Sequence, residues 1–150
     1  MDQDTLAYAK VKLEELLAFF EVNGEIEVSE ADDRVELNVA TTDSGQLIGH
    51  HGETLRSLQY ILSQMVSNQT GQRAFISLDV AGYKKGRAET LSAKAKTMAE
   101  EVKESGKSQT LGPLNAAERR VVHMAISEIE GIETESTGVD PYRKVIIKKS

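Results

Sequence analysis

The chain has no cysteine and no tryptophan, and only two prolines, three phenylalanines and four tyrosines among 150 residues. Without cysteine there is no disulfide and no thiolate metal site. Three histidines alone do not build a zinc site, so neither a metal nor another cofactor is expected. With so few aromatics the core has to be aliphatic. No apolar run approaches the length of a membrane span, so membrane insertion is not expected. Asp2 and Asp4 stand where the positive region of a signal peptide would lie, and the default location is the cytoplasm.

What is present suits one mid-sized domain or two very small ones. The net charge of −6 argues at first sight against nucleic acid, but the charge is unevenly placed. Residues 1–43 hold 12 acids and 3 bases, whereas residues 44–150 hold 12 acids and 15 bases. A basic remainder therefore follows an acidic N-terminal piece, an asymmetry compatible with a nucleic-acid binder.

Leu6, Leu13, Leu16, Leu17 and Phe20 recur at helical spacing and predict a helix over 4–21, stopped by Asn23-Gly24. Ile26 and Val28, then Val35, Leu37 and Val39, alternate with polar residues and predict a hairpin turning at Ala31-Asp32-Asp33. Ser44 to Ile48 reads as a short helical piece that breaks at Gly49-His50-His51-Gly52. A stronger helix carries Leu55, Leu58, Ile61, Leu62, Met65 and Val66 on one face and ends between Asn68 and Gly71. Ala74, Ile76, Leu78 and Val80 alternate as a third strand.

Ala81-Gly82 is the one plausible boundary, dividing the chain into residues 1–81 and 82–150. A long helix over 83–104 turns Leu91, Ala95, Met98 and Val102 inward and ends at Gly106. A strand end and turn at Thr110 to Leu114 leads to a helix capped by Asn115, with Glu118 in the capping-box position, running to about Ile129. Strands near 132–136 and 143–148 close the chain.

Two motifs carry functional content. In Ile48-Gly49-His50-His51-Gly52-Glu53-Thr54-Leu55, two glycines three apart sit between helices. They permit a turn that side chains would obstruct and let a phosphate backbone approach the main chain. A Gly-x-x-Gly by itself also marks an ordinary helix–turn–helix corner. The second motif is Glu118-Arg119-Arg120-Val121-Val122-His123, whose Arg119 and His123 lie four apart and share a helix flank.

The first motif, in its helix–strand–strand–helix–helix–strand context, resembles the type II KH domain over residues 4–80. The resemblance implies that Gly49, His50, His51 and Gly52 clamp the backbone of about four nucleotides. The two middle residues are often Lys, Arg or Gly in that family, and a neutral imidazole supplies one hydrogen bond and little charge. The second motif, with Leu111-Gly112-Pro113-Leu114 and Gly138 to Ile147, resembles the RxxxH single-stranded nucleic-acid-binding domain over 83–149. Leu114 stands where relatives often carry Met, and Val139-Asp140 where they often carry two Glu.

The two together resemble the bacterial Jag family, which commonly adds an N-terminal domain and linker that this sequence does not show. The implied fold is α+β: a type II KH domain (α-β-β-α-α-β) fused to a small α/β RxxxH domain (α-β-α-β-β). The implied function is binding of single-stranded RNA, in post-transcriptional control linked to cell growth and envelope synthesis. The implied partner is a small single-KH protein, with a homodimer as the alternative. The RNA-binding residues expected are Gly49, His50, His51, Gly52, Arg119, Arg120, His123, Tyr142 and Arg143, with Tyr142 able to stack on a base.

Two other classes compete with that reading. An enzyme with His123 as general base is disfavoured, because no nucleophile, carboxylate pair or nucleotide-binding loop accompanies it. A protein-interaction adaptor using the acidic segment 1–43 is the alternative, as is a binder of single-stranded DNA.

Overall fold

The computed structural model describes residues 2–150, which divide into two compact units meeting at Lys84 and Lys85. The first unit holds α1 (Gln3–Phe19), β1 (Glu25–Ala31), β2 (Arg34–Ala40), α2 (Gly45–Ile48), a 3-10 turn (His50–Gly52), α3 (Glu53–Thr70) and β3 (Ile76–Val80). Its sheet runs β1-β2-β3, with β1 antiparallel and β3 parallel to the central β2. Val35, Leu37 and Val39 alternate inward on β2 and Ile76, Leu78 and Val80 on β3; they meet Leu13 and Leu17 of α1 and Leu58, Leu62 and Val66 of α3. The parallel β2–β3 pair needs a crossover, and α2 with α3 provides it. This crossover places the turn between α2 and α3 at one end of the sheet's helical layer.

Most of α4 (Tyr83–Ser105) belongs to the second unit, followed by β4 (Gln109–Leu111), α5 (Ala116–Ile126), β5 (Ile132–Thr137) and β6 (Lys144–Lys149). The sheet order is β4-β6-β5, both pairs antiparallel. Leu91, Ala95, Ala99 and Val102 of α4 and Val122 and Ile126 of α5 pack with Val145 and Ile147 of β6. The architecture is the α+β order expected from the sequence. Among the described residues no helix is long and apolar enough to cross a membrane.

The ends of α1 show which local forces decide. Asp2 caps its start, its Oδ1 accepting from the Thr5 N–H at 2.8 Å and the Thr5 hydroxyl at 2.6 Å. These bonds, the hydroxyl's first, hold the Asp2 carboxyl below its ordinary pKa. The C-terminus differs from the expectation that Asn23-Gly24 stops the helix. The helix ends at Phe19, and Glu21 takes the left-handed conformation (φ 56°). The Val22 N–H reaches the Leu17 carbonyl at 3.0 Å and the Glu21 N–H the Ala18 carbonyl at 3.1 Å. This is a Schellman cap, and its apolar contact is the buried pair Val22 and Leu17. Burial of Val22 overrode the glycine signal. Gly24 instead makes room for the sheet, since a Cβ there would stand 2.9 Å from Cγ1 of Val39.

In the hairpin, Asp32 (φ 50°) and Asp33 (φ 58°) form a two-residue turn with both φ positive, the geometry that matches strand twist. The last helix, α5, stops at Ile126 rather than near Ile129. There the Ser127 hydroxyl donates back to the Met124 carbonyl at 2.9 Å, competing with helix continuation.

The strain at Glu21 generates a stability prediction. Glu21→Gly should raise the chain's unfolding free energy by about 0.5–1 kcal/mol, since glycine adopts the left-handed conformation without a Cβ clash and part of the gain is offset by its unfolded-state freedom. Urea unfolding checks this; unchanged or lower stability would mean that Glu21 is not strained.

Candidate nucleic-acid interface

The turn between α2 and α3 holds three of four residues at positive φ: Gly49 (70°), His51 (51°) and Gly52 (79°). At Gly49 a Cβ would collide with the Thr54 side chain, including its Cβ at 2.9 Å. At Gly52 it would meet the Tyr83 ring, with Cε1 at 2.9 Å. The glycines are therefore required both by conformation and by what closes the loop from behind. For the same reason Gly49→Asp with Gly52→Asp would strain the fold.

The two residues between the glycines point outward. His50 and His51 are exposed, and their rings stack with centroids 3.9 Å apart and planes 24° off parallel. Arg56 Nη1 donates to the His51 carbonyl at 3.0 Å. This sets a guanidinium against the loop and anchors the carbonyl beside it. Arg56 was not singled out by the sequence reading; its signal would have been the arginine one helical turn beyond the second glycine. Glu53 opens α3 and opposes an anion, which Arg56 offsets. Gly52 is the N-cap of α3 and has no side chain to bond the first-turn N–H groups, leaving a helix N-terminus facing the loop.

In the second unit, Asn115 Oδ1 accepts from the Glu118 N–H at 2.9 Å, as the capping pattern predicts. The Glu118 carboxylate accepts from the Asn115 amide at 2.8 Å and lies 3.7 Å from Arg87. This cap fixes the start of α5 and hence Arg119.

Arg119 and His123 share a flank of α5 as expected, but neither is an open group. Arg119 is 9% exposed. Its Nη1 donates to the Leu114 carbonyl at 2.7 Å and lies 3.6 Å from Oδ1 of the exposed Asp140. Leu114 in turn donates its N–H to the Arg143 carbonyl at 2.8 Å. Arg119 thus holds together the loops around Leu114 and Asp140, which lie on either side of the sheet's central strand. His123 is half-buried. Its Nδ1 is 2.6 Å from the Thr134 hydroxyl and its Nε2 2.9 Å from the Ser136 hydroxyl, both on β5. Hydroxyls donate or accept, so this pair suits either tautomer.

Of the remaining expected residues, Arg120 and Tyr142 are exposed, Tyr142 at 71% beside Val139 at 79%. Arg143 is half-buried, and its Nε is buried without a hydrogen-bond partner. Two apolar side chains and Arg143 thus crown the loop that Arg119 ties down.

This arrangement separates neighbouring arginines. Arg119→Ala should cost about 1.5–3 kcal/mol of stability by unpairing a buried charged hydrogen bond. Arg120→Ala should change stability by less than about 0.5 kcal/mol. Urea unfolding of both variants checks this, and equally small effects would mean that Arg119 holds nothing in place.

Comparison with known proteins agrees with both halves. Residues 11–80 match the family described as KhpA/KhpB, KH domain, and residues 89–149 match the domain family named for its Arg-x-x-x-His signature. A protein of Clostridium symbiosum named RNA-binding protein KhpB is 38% identical over 122 residues, covering 81% of this chain and 55% of that protein. Its namesake in Streptococcus pneumoniae (strain D39) is 31% identical over 113 residues, covering 75% of this chain and 34% of the relative. The one in Bacillus subtilis (strain 168) is 27% identical over 146 residues, covering 96% of this chain and 70% of the relative. The chain spans about a third to just over half the length of the first two relatives. With a KhpA/KhpB-type KH domain followed by an RxxxH domain, the chain has the domain architecture of the Jag family.

Proposed function

We propose that this chain binds single-stranded RNA and performs no chemistry on it. The observation that carries the reading is the Gly49–Gly52 turn. Its two middle residues, His50 and His51, are exposed, and its glycines are packed from behind by Thr54 and Tyr83. A phosphate can approach such a turn closely, with Arg56 and the α3 N-terminus supplying positive charge. The relatives' name, RNA-binding protein, supports the same ligand. In the second unit, Arg120, Tyr142 and Arg143 are proposed to touch the strand, Tyr142 by stacking. Arg119 and His123 are proposed to act mainly through the loops and strand they hold. The proposed setting is the bacterial cytoplasm, in regulation of growth and envelope synthesis, with a small single-KH protein or a second copy of the chain as partner.

The test keeps both glycines. His50→Asp with His51→Asp puts two carboxylates where phosphate would sit, and aspartate tolerates the left-handed conformation of His51. Affinity for a single-stranded RNA should fall by roughly tenfold or more, because like charges brought together cost several kcal/mol at an interface. Unchanged affinity in a folded double variant would remove the turn from the interface. A single-stranded DNA of the same sequence, bound equally well, would broaden the ligand to either strand.

Arg56→Gln gives a second readout. It should weaken binding about equally for all sequences and make the logarithmic salt slope shallower by about 0.7, the value of one phosphate contact on a single strand. A slope identical to that of the unaltered chain would mean that Arg56 serves only the His51 carbonyl.

A further inference from the structure

Beside the clamp lies a polar cluster at the edge of the first unit's sheet. β3 has β2 on one side and no strand on the other, and the outward N–H groups of such a strand need partners. The Leu78 N–H finds one in Gln59 of α3, whose Oε1 accepts it at 2.9 Å. The same oxygen accepts from Lys84 Nζ at 3.3 Å, and Lys84 Nζ also donates to the Ser77 hydroxyl at 3.0 Å. Lys84 is itself positioned, since its N–H donates to Oδ1 of Asp79 at 3.2 Å. Its partial burial lowers the ammonium pKa, against the opposing pull of Asp79 and Glu36, with Arg34 adding to the lowering.

Both groups around the Gln59 oxygen are donors, so the orientation of the amide is fixed by chemistry. The oxygen faces the strand, and Nε2, the other branch of the amide, carries two hydrogens. Lys84 uses two of its three hydrogens on Gln59 and Ser77. What Gln59 and Lys84 have left to offer is donors, one ammonium hydrogen and the amide Nε2.

The cluster is contiguous with the clamp. Tyr83 lays its ring against Gly52, and the next residue, Lys84, touches the β3 edge. Along α3, Gln59 stands seven residues beyond Gly52, a rise of about 10 Å. A strand gripped at Gly49–Gly52 reaches that distance within the four or so nucleotides such a clamp holds.

We propose that Gln59 and Lys84 form a base-reading pair next to the clamp, which presents donors only and so selects guanine, with its adjacent O6 and N7 acceptors, over adenine. Adenine offers N7 beside an N6 amino donor, and that donor would face another donor. A site that matches one base edge and leaves a group unpaired against the other discriminates strongly. This inference rests on the RNA-binding reading above and names the residues and the base that would give it sequence preference.

The experiment uses the whole chain and a series of uridine oligomers carrying one guanosine or one adenosine at each position in turn, with fluorescence anisotropy as readout. At one position guanosine should be favoured by roughly tenfold. Gln59→Glu keeps an acceptor for the Leu78 N–H and for Lys84 but turns the Nε2 donor into an acceptor. It should abolish or reverse that ratio. Lys84→Met removes a donor without disturbing the Leu78 N–H and should narrow the ratio, and it decides the matter if the Gln59 variant does not fold. His50→Asp with His51→Asp should lower affinity for both oligomers and leave the ratio intact. A wild-type ratio near one at every position, or a ratio unmoved by either variant, overturns the base-reading pair while leaving RNA binding in place. If the unaltered chain binds none of the oligomers, both readings fall together.

Discussion

A loop that offers its main chain to a phosphate cannot also use that main chain to hold its own shape. The N–H groups that face the phosphate must stay open, so part of the restraint has to come from side chains packed behind it. In both units of this chain side chains brace a loop from behind, by different means. In the first, Thr54 and the Tyr83 ring fill the space behind the glycines, and Arg56 ties the His51 carbonyl. In the second, a guanidinium takes the place of packing: Arg119 joins the Leu114 carbonyl to the neighbourhood of Asp140. A planar cation with several fixed donors suits this bridging better than a lysine would. The Arg/His signature then reads as an internal brace of the loops around Leu114 and Asp140, with the exposed Tyr142 and Arg120 on the surface proposed to meet the strand.

The brace also explains what could and could not be read from the sequence. Helical and alternating periodicities located the elements because an aliphatic core leaves one strong signal per element: Leu91, Ala95, Met98 and Val102 all turned inward on α4. Gly49 and Gly52 were legible as a turn because nothing but glycine fits there. Helix ends were less legible, since Val22 burial and the Ser127 hydroxyl settled them through contacts that local propensity does not encode. The burial of Arg119 was not legible at all. Its spacing from His123 says that the two share a flank, but whether a flank meets solvent or two folded-back loops depends on residues as far along the chain as Asp140.

The cluster at Gln59 was invisible for the same reason. Gln59, Ser77 and Lys84 come from a helix, a strand and the start of the next helix, and none belongs to a motif. Only the parallel pairing of β2 with β3, which leaves β3 at the edge, brings them together. Sequence patterns report neighbours within an element; edge-strand satisfaction is a property of the assembled sheet.

The net charge of −6 remains to be reconciled with an anionic ligand. Half of the acid, 12 of 24 residues, lies in residues 1–43, where Glu25 and Glu27 of β1 point away from the core. From Ser44 to Leu78, the stretch containing the turn and α3, Glu53 is the one acid, against Arg56 and Arg73. At physiological salt, charges more than about 8 Å away through solvent are largely screened, so the field at the turn is set by its own neighbours. The distant acid still acts on encounter and on sequence-independent attraction, which grows with every phosphate neutralised. A chain that is acidic overall therefore binds nucleic acid weakly except where backbone geometry and a few placed donors fit it. Low indiscriminate attraction is the condition under which the proposed cluster at Gln59 would change which strand is held.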